Sequence, residues 1–222
     1  MDIKEYIDTL PLKAVRPRAD GTYTVVPRMH GGILDAGQLA SIAKVVRDNG
    51  LPQVRITAGQ QLLIDNVPED RLEAVIEALG AVGAAYRHKA LGCLGTAGCK
   101  LGQQDSQSAA IRLSELLETF TMLTKVKAGV SGCSMCCSES MVRDVGLIGR
   151  KHGWTVVFGG NAGKRVRQGD VLAEDVSEDE AFAILGRVLA FYAENGKKKE
   201  RTARFVERVG LDAVKKAAFN EL

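Results

Sequence analysis

The chain has 222 residues, of which 45% are hydrophobic and 26% are charged, and its net charge is +3 at pH 7. These values are typical of a folded globular protein and exclude a disordered one, and the near balance of charges gives no general affinity for nucleic acid. No apolar run approaches the roughly 20 residues of a membrane helix, and the acidic start "MDIKEYIDTL" does not resemble an export signal. We therefore expect a cytoplasmic protein that binds neither nucleic acid nor a membrane.

The first 88 residues alternate between predicted strands and helices. "TYTVVPRM" predicts a strand that Pro27 interrupts, and apolar residues at helical spacing predict a helix over 34–50. Two short strands follow, "QVRIT" and "QLLIDNV", and Pro68 begins a second helix. With a further strand near 84–90, this order is the split βαβ pattern of a ferredoxin-like α+β domain.

The remaining residues predict a mixed α/β domain. A Gly-rich segment, "LGCLGTAGCKLG", precedes an amphipathic helix over 106–123, and a strand, "KAGVSG", leads into "SGCSMCCSES". We expect a helix over 139–150, a strand at "WTVVFGG", and then mostly helices. The order of these elements predicts two domains, over 1–88 and 89–222.

All five cysteines lie between positions 93 and 137. In a reducing compartment, clustered cysteines indicate a metal or redox site rather than disulfides. Five residues separate Cys93 from Cys99, and three separate Cys133 from Cys137. Two such pairs suit a cubane iron–sulfur cluster, which takes four thiolates, whereas zinc, the main alternative, usually has more closely spaced pairs. Either site leaves Cys136 spare.

Four other segments add to this pattern: "PRMHGGIL", "VRITAGQQLLIDNVP", "GLIGRKHGWTVVFGGNAGKRVR" and "ERTARFVERVG". Together with the C-x5-C and C-x3-C pairs, and in this order, they resemble the siroheme-dependent sulfite and nitrite reductases. The similarity extends from about residue 22 to about residue 212. It covers one ferredoxin-like and cluster-binding unit, where the family's full enzymes have two, so a homo-oligomer would supply a second unit.

The resemblance implies two metal cofactors. One is a [4Fe-4S] cluster held by Cys93, Cys99, Cys133 and Cys137, and the other is siroheme, whose iron would also bind the Cys137 thiolate. Reduction of sulfite to sulfide, or of nitrite to ammonia, takes six electrons, which such joined centres deliver singly. Cys136 has no role in this arrangement.

The resemblance also implies cations that bind a small anionic substrate. Lys125 and Lys127, at alternate positions of a predicted strand, are similar to the family's paired lysines, although alternate lysines also protect exposed strand edges. Arg87 lies where the family has an arginine, with Lys89 as its rival. Arg28 lies at the Gly-Gly turn, facing either the tetrapyrrole or solvent.

Siroheme carries many carboxylates, so its pocket needs amide and cationic donors. The motif match implies Arg55, Thr57, Gln60, Asn161, Lys164, Arg165 and Arg167. Without the resemblance, "GGNAGKRVR" equally fits a phosphate-binding turn or a solvated loop. The basic run at 197–204 is typical of a solvated helix face or of a docking site for an acidic electron donor. Among the histidines, only His88 is a candidate proton donor.

The sequence therefore predicts a sulfite reductase that receives electrons from a separate protein such as a ferredoxin or a cytochrome, because no flavin or NAD fingerprint is present. Nitrite reduction, which needs the same cofactors, is the first alternative. A [4Fe-4S] electron-transfer protein without siroheme is the second. The presence of one unit, where the family's full enzymes have two, favours the electron-transfer protein. Lys125, Lys127 and the basic segment "GKRVR" favour a reductase.

Overall fold

The computed structural model describes residues 2–220, which form two compact units. The first unit ends at Arg87 and the second begins at His88. Each unit has its own sheet and its own hydrophobic core. Among the described residues, no helix is both long enough and apolar enough to span a bilayer.

The first unit combines an antiparallel sheet with three helices. Its elements are α1 (Ile3–Thr9), β1 (Val15–Pro17), β2 (Tyr23–Val25), α2 (Ala36–Asp48), β3 (Val54–Ile56), β4 (Leu62–Val67) and α3 (Leu72–Leu79). The strand order is β1-β2-β4-β3, and every neighbouring pair is antiparallel. Asp35 and Gln38 form a capping box that begins α2. Apolar residues of α2 and α3, such as Ile42 and Val75, belong to the core of this unit.

The outer strand of this sheet comes from a different part of the chain than expected. The sequence predicts that a strand near 84–90 completes this sheet. The strand that forms there, Ala90–Gly92, belongs to the second sheet instead. The first sheet is completed by β1, whose short and mostly exposed "VRP" sequence carries no strand pattern. The predicted α+β class with a ferredoxin-like split unit is confirmed.

The second unit is a mixed five-stranded sheet with four helices. Its elements are β5 (Ala90–Gly92), α4 (Ser106–Glu118), β6 (Ala128–Ser131), β7 (Val145–Arg150), β8 (Gly153–Phe158), β9 (Asp170–Val176), α5 (Glu178–Asn195), α6 (Thr202–Val209) and α7 (Leu211–Phe219). The sheet order is β5-β6-β7-β8-β9, with β5, β6 and β7 parallel and the remaining pairs antiparallel. Trp154, Phe158 and Phe205 are among its largest fully buried side chains.

The helix predicted over 139–150 is wrong. Only one 3-10 turn, Ser140–Val142, forms there, and β7 follows it. A Cβ at Gly146 would lie 2.1 Å from the Ser140 carbonyl oxygen, so turn and strand pack backbone against backbone, which only glycine permits. Because β7 pairs with β6 on one side and β8 on the other, its backbone polar groups are satisfied in the sheet.

The parallel strands β5 and β6 position the two cysteine-bearing segments. The segment after β5 contains Cys93 and Cys99, and the segment after β6 contains Cys133 and Cys137. Neighbouring parallel strands end at the same edge of a sheet, where ligands commonly bind. The topology therefore brings two sequence-distant cysteine pairs to one edge.

Candidate functional site

Four of the five cysteines line a single cavity of about 250 Å³ in the second unit. They are Cys93, Cys99, Cys133 and Cys137, and none of them forms a disulfide. The other lining residues are glycines and large apolar side chains: Leu94, Gly95, Leu101, Gly102, Gly132 and Met135. The structure thus assembles the four cysteines that the sequence predicts as ligands around an apolar space.

Glycines let the two cysteine loops approach each other. A Cβ at Gly132 would lie 2.6 Å from Cα of Gly95, and a Cβ at Gly102 would lie 2.3 Å from the Gly95 carbonyl oxygen. Gly95 itself has a φ of +51°, in the left-handed region. These contacts are too short for any residue with a side chain. The cavity is therefore built on direct contact between glycine backbones.

Hydrogen bonds prepare Cys93 to be a thiolate. Its Sγ accepts the N–H of Gly132 at 3.1 Å and lies 3.2 Å from the Ser106 hydroxyl. Burial acts to raise the pKa of the Cys93 thiol, but donation from Gly132, Ser106 and Gly95 outweighs it and lowers the pKa below its usual value. A thiolate is the form that binds metal.

The number of cysteines around the cavity matches a four-iron cluster. Each thiolate of a cubane binds a different iron atom, so a cubane takes four cysteines, which is the number that lines this cavity. Among residues 2–220, no three His, Cys, Asp or Glu side chains are grouped so that they could hold one ion.

Cys136 is not part of the cavity lining. Its φ of +55° lies in the left-handed region, and its Sγ accepts the N–H of Met141 at 3.4 Å. Its own N–H donates to the Cys133 carbonyl oxygen at 3.2 Å, so it belongs to the turn that connects the two lining cysteines. This position supports the prediction that Cys136 is spare.

Two adjoining cavities of about 140 and 390 Å³ form a second feature of this unit. They share Asn161, Gly163 and Arg201. We call them together the basic cleft, because most of their charged lining residues are cationic: Lys127, Arg143, Lys164, Arg165, Arg167, Lys199, Arg201 and Arg204, against Glu139 and Glu207. The cleft is suited to an anion with several negative oxygens.

The four residues predicted in "GGNAGKRVR" all line the basic cleft. Asn161 and Arg167 exchange backbone hydrogen bonds of 2.9 and 2.8 Å, which close the turn. The Arg167 guanidinium donates to Gly159 and Asp170, whereas Arg165 pairs with Glu207 and leaves 76% of its side chain exposed. The turn thus presents one fixed guanidinium and one exposed guanidinium, and Lys164, which precedes both arginines, is also exposed.

The two predicted lysines lie away from the cysteine cavity. Lys125 and Lys127 are exposed on either side of buried Val126, as expected for alternate positions, and Lys127 lines the basic cleft. They precede β6, whereas Cys133 follows it. At about 3.3 Å per residue, the strand between Lys127 and Ser131 spans roughly 13 Å. The structure therefore groups Lys127 with the basic turn and not with the cysteine-lined space.

The loop after Cys137 connects the two features. A Cβ at Gly129, in the middle of β6, would lie 2.4 Å from the Ser138 carbonyl oxygen, so the loop crosses directly over the strand. Cys137 itself is exposed, and Arg143, where the loop ends, lines the basic cleft. The loop therefore runs from the cysteine cavity to the basic cleft.

Arg143 and Arg201 are cleft residues that the sequence did not identify. The Arg143 Nε donates to the Ser138 carbonyl oxygen at 3.1 Å, which holds its guanidinium against the loop. Arg201 lies in the basic run 197–204 and precedes α6. The run itself was the available signal, but a row of charges does not show which member faces a cleft.

Three candidate site residues, Arg87, His88 and Lys89, follow one another before β5 and have different environments. Arg87 is exposed, whereas His88 is 4% exposed and its Nδ1 accepts the Val126 N–H at 3.0 Å. This contact gives His88 a structural role, and its use as a proton donor stays a prediction. Burial lowers the pKa of Lys89 to about 8. Lys89 and Lys127 each directly precede the first paired residues of β5 and β6, Ala90 and Ala128.

Two of the predicted motifs meet within the first unit. A Cβ at Gly32 would lie 2.9 Å from Cβ of Gln60, so the Gly-Gly turn contacts the R-x-T-x-x-Q segment. Gly31 and Gly32 have φ values of +61° and +81°, which favour glycine. The Thr57 hydroxyl and N–H both bond within their own turn, to Gln61. The two motifs are therefore in direct contact in the first unit.

The arginines of the first unit differ in their availability. Arg28 donates to the Val82 carbonyl oxygen at 2.9 Å, while its buried Nε has no hydrogen-bond partner. Such an unsatisfied donor is costly and suggests a missing acceptor. Arg55 forms an ion pair with the buried Asp65 at 2.5 Å, and about half of its side chain is exposed. Of the two guanidinium groups, that of Arg28 is therefore the one with a donor left for a bound anion.

Comparison with known families covers nearly the whole chain. Residues 82–222 match the model of the nitrite and sulphite reductase 4Fe-4S domain, and residues 16–82 match the nitrite/sulfite reductase ferredoxin-like half domain. The chain is 39% identical to an assimilatory-type sulfite reductase of Nitratidesulfovibrio vulgaris, over 93% of this chain and 97% of that protein. It is 37% identical to an NAD(P)H nitrite reductase of Bacillus subtilis, over 88% of this chain but only 25% of that protein.

Two solved structures show the same fold. The NirA protein of Mycobacterium tuberculosis superposes with a TM-score of 0.76 at 23% identity, over 90% of this chain and 41% of that one. Dissimilatory sulfite reductase I superposes with a TM-score of 0.72 at 14% identity, over 88% of this chain and 68% of that one. At these identities the likeness is evidence for the fold alone.

Proposed function

The chain belongs to the nitrite and sulfite reductase family and is an oxidoreductase, and we propose that it catalyses the six-electron reduction of sulfite to sulfide. The observation that carries this proposal is the cavity in which the four cysteines with the family spacing surround one apolar space. Sulfite is preferred to nitrite because the similar sulfite reductase matches this chain over 97% of its length, whereas the similar nitrite reductase does so over 25%. Nitrite remains the second candidate substrate.

The second unit is proposed to hold both metal cofactors. Cys93, Cys99, Cys133 and Cys137 would each bind one iron of a [4Fe-4S] cluster, with the Cys137 thiolate shared with siroheme. When bound, siroheme joined to the cluster supplies electrons one at a time and an iron atom open to the anion. Cys137 and Cys99 are the exposed members of the set, and the motif match assigns the shared role to Cys137.

The carboxylates of siroheme are proposed to bind amide and cationic side chains. In the second unit these are Asn161, Lys164, Arg165 and Arg167, all of which line the basic cleft. In the first unit they are Arg55, Thr57 and Gln60. Cations that pair with several carboxylates at once hold them with directional, charge-assisted hydrogen bonds.

The anionic substrate is proposed to be held by Lys125 and Lys127, with Arg28 and Arg87 as further catalytic cations. These groups neutralise the oxygens of the anion, and the ammonium groups can also give protons as oxygen leaves as water. Both lysines are exposed, and Lys127 lines the basic cleft, which supports this role. The unsatisfied Nε of Arg28 supports its assignment as an anion donor.

Electrons are proposed to come from a separate protein such as a ferredoxin or a cytochrome. The sequence contains no G-x-G-x-x-G turn with which it could bind a dinucleotide itself.

A homo-oligomer is also proposed, since the chain has one copy of a unit that the family's full enzymes repeat. Size-exclusion chromatography with light scattering measures the oligomeric state directly.

The visible spectrum of the purified protein tests the cofactor proposal. Anaerobically purified, iron-replete protein should show the strong Soret and red bands of siroheme, whereas an electron-transfer protein with a bare cluster would show only a broad shoulder. Steady-state rates with sulfite and with nitrite, using a chemical reductant, then identify the preferred substrate. A spectrum without siroheme bands would exclude the reductase proposal.

Replacement of Lys127 should reduce turnover without loss of cofactor. Lys127→Ala removes a cation that lines the basic cleft, and we expect kcat/KM for sulfite to fall about a hundredfold, as for other groups that stabilise developing charge. The visible spectrum should stay the same. Lys198→Ala is a matched control, because Lys198 is exposed and is not among the cleft-lining residues. Equal rates in Lys127→Ala and the control would remove Lys127 from the mechanism.

The rate of reduction should decrease at alkaline pH if Lys89 is a proton donor. Because burial lowers the pKa of Lys89 to about 8, its ammonium form predominates below that pH and is lost above it. We expect kcat to fall as the pH rises through about 8. Lys89→Arg keeps the positive charge at every accessible pH and should remove this decrease, at a lower maximal rate. A pH profile identical in Lys89→Arg and the parent would assign the decrease to another group.

A further inference from the structure

We propose that Asp144 is the positioning residue of the basic cleft: it holds Lys127 and Arg201 together so that both face one bound anion. The inference rests on the proposed function, because the anion is taken to be sulfite. Asp144 does not itself line the cleft. It acts through the two cations that do.

The Asp144 carboxylate is buried and fully engaged. It is 1% exposed, and its Oδ2 accepts the backbone N–H of Lys127 at 2.7 Å. Its Oδ1 accepts the Thr202 hydroxyl at 2.7 Å and Nε of Arg201 at 2.9 Å, while Nη2 of Arg201 donates to Oδ2. One carboxylate thus binds two different cleft-lining segments at the same time.

The main chain of Asp144 holds a third segment. Its carbonyl oxygen accepts the N–H of Gly159 at 2.9 Å, at the start of the turn that contains Asn161. Lys127, Asn161 and Arg201 all line the cleft and lie far apart in the sequence. Asp144 is a common hydrogen-bond partner of all three segments, which is why its position governs the shape of the cleft.

The charge of Asp144 is required as well as its shape. Two cations that face one small space repel each other, and a buried carboxylate behind them offsets that repulsion. Burial acts to lower the pKa of the Arg201 guanidinium, but hydrogen bonding and attraction from Asp144 raise it overall. An asparagine would keep the volume but lose the charge and one acceptor oxygen, so two of the four donors would lack a good partner.

A double-mutant cycle distinguishes positioning from a general effect on folding. Asp144→Asn and Lys127→Ala are prepared singly and together, with cofactors loaded, and Glu178→Gln is the matched control. Glu178 pairs with Arg112 at the surface, and neither residue lines the cleft. For each variant the sulfite dissociation constant is measured by calorimetry, and kcat/KM is measured at steady state. The dissociation constant does not depend on turnover.

Asp144→Asn should weaken sulfite binding and reduce kcat/KM by about tenfold, since misplaced groups in a binding site lose most of their effect. In the Lys127→Ala background the same change should cost about threefold or less, because part of its effect passes through Lys127. Hydrogen exchange of the Lys127 amide should accelerate. The control should match the parent in all measurements.

An equal loss from Asp144→Asn in both backgrounds, or an unchanged dissociation constant, would overturn the inference. Should Asp144→Asn not fold, Thr202→Val removes only one of the four hydrogen bonds, and a fall of a few fold in the same direction is expected. No change in Thr202→Val would then overturn it. A parent that binds sulfite but does not reduce it would refute the proposed function and leave the binding comparison valid.

Discussion

Cys137→Ser is expected to abolish sulfite reduction, whereas Cys136→Ser should retain both activity and cofactors. The two residues are neighbours, but only Cys137 lines the cysteine cavity. A serine hydroxyl is a poor ligand for iron at neutral pH, because it remains protonated where a thiol ligand ionises. Loss of Cys137 would remove one corner of the cluster and, by the proposal, the link to siroheme.

The measurement is iron and acid-labile sulfide per chain, together with the visible spectrum of anaerobically purified protein. Cys136→Ser loses only a weak hydrogen bond from the Met141 N–H to sulfur, so its iron content and spectrum should equal those of the parent. It is therefore a control with the same chemical change at the adjacent position. The reverse result would show that Cys136 is the ligand and Cys137 the spare thiol.

Gly132→Ala is expected to prevent assembly of the cluster although it leaves every cysteine in place. The new Cβ would lie 2.6 Å from Cα of Gly95 and 2.9 Å from the Gln104 carbonyl oxygen, and both contacts are with backbone that cannot rotate away. The two cysteine loops must then separate. We expect the iron content per chain to fall by roughly half or more, since overpacking at a backbone contact shifts the surrounding structure.

Gly98→Ala is the matched control for this prediction. Gly98 lies in the same cysteine-bearing loop as Gly95, but a Cβ there would have no atom within 4 Å, and its φ of −167° lies outside the left-handed region. Iron content and activity should therefore remain at the parental level. Equal iron content in Gly132→Ala and Gly98→Ala would show that close approach of the loops is not needed for the cluster.

The chemistry of the metal site could be predicted from local sequence. Cys93 with Cys99, and Cys133 with Cys137, stand in two Gly-rich turns, and ligand type, number and spacing are properties of short segments. The prediction that Cys136 is spare followed from the same counting. The long helices near the end of the chain were predictable for a similar reason, because an apolar face at helical spacing is a local pattern.

Other elements depended on partners that the local sequence does not show. The segment over 139–150 has enough apolar residues for a helix, yet Gly146 packs against Ser140 and the chain pairs with β6 and β8 as a strand. Strand β1 carries almost no strand pattern and forms because β2 offers it an edge. In both cases hydrogen bonding to a distant strand outweighs local propensity.

The sequence by itself determined the family resemblance and the α+β class and predicted four cysteines as ligands, since each rests on residue types at short, fixed spacings. Only the tertiary structure decided that Lys127 faces Arg143 and Arg201 rather than the cysteines, and that Asp144 holds two of these cations. Asp144 and Arg201 are 57 positions apart. Contacts between such distant residues depend on how strands and helices pack, and no periodicity within a segment records them.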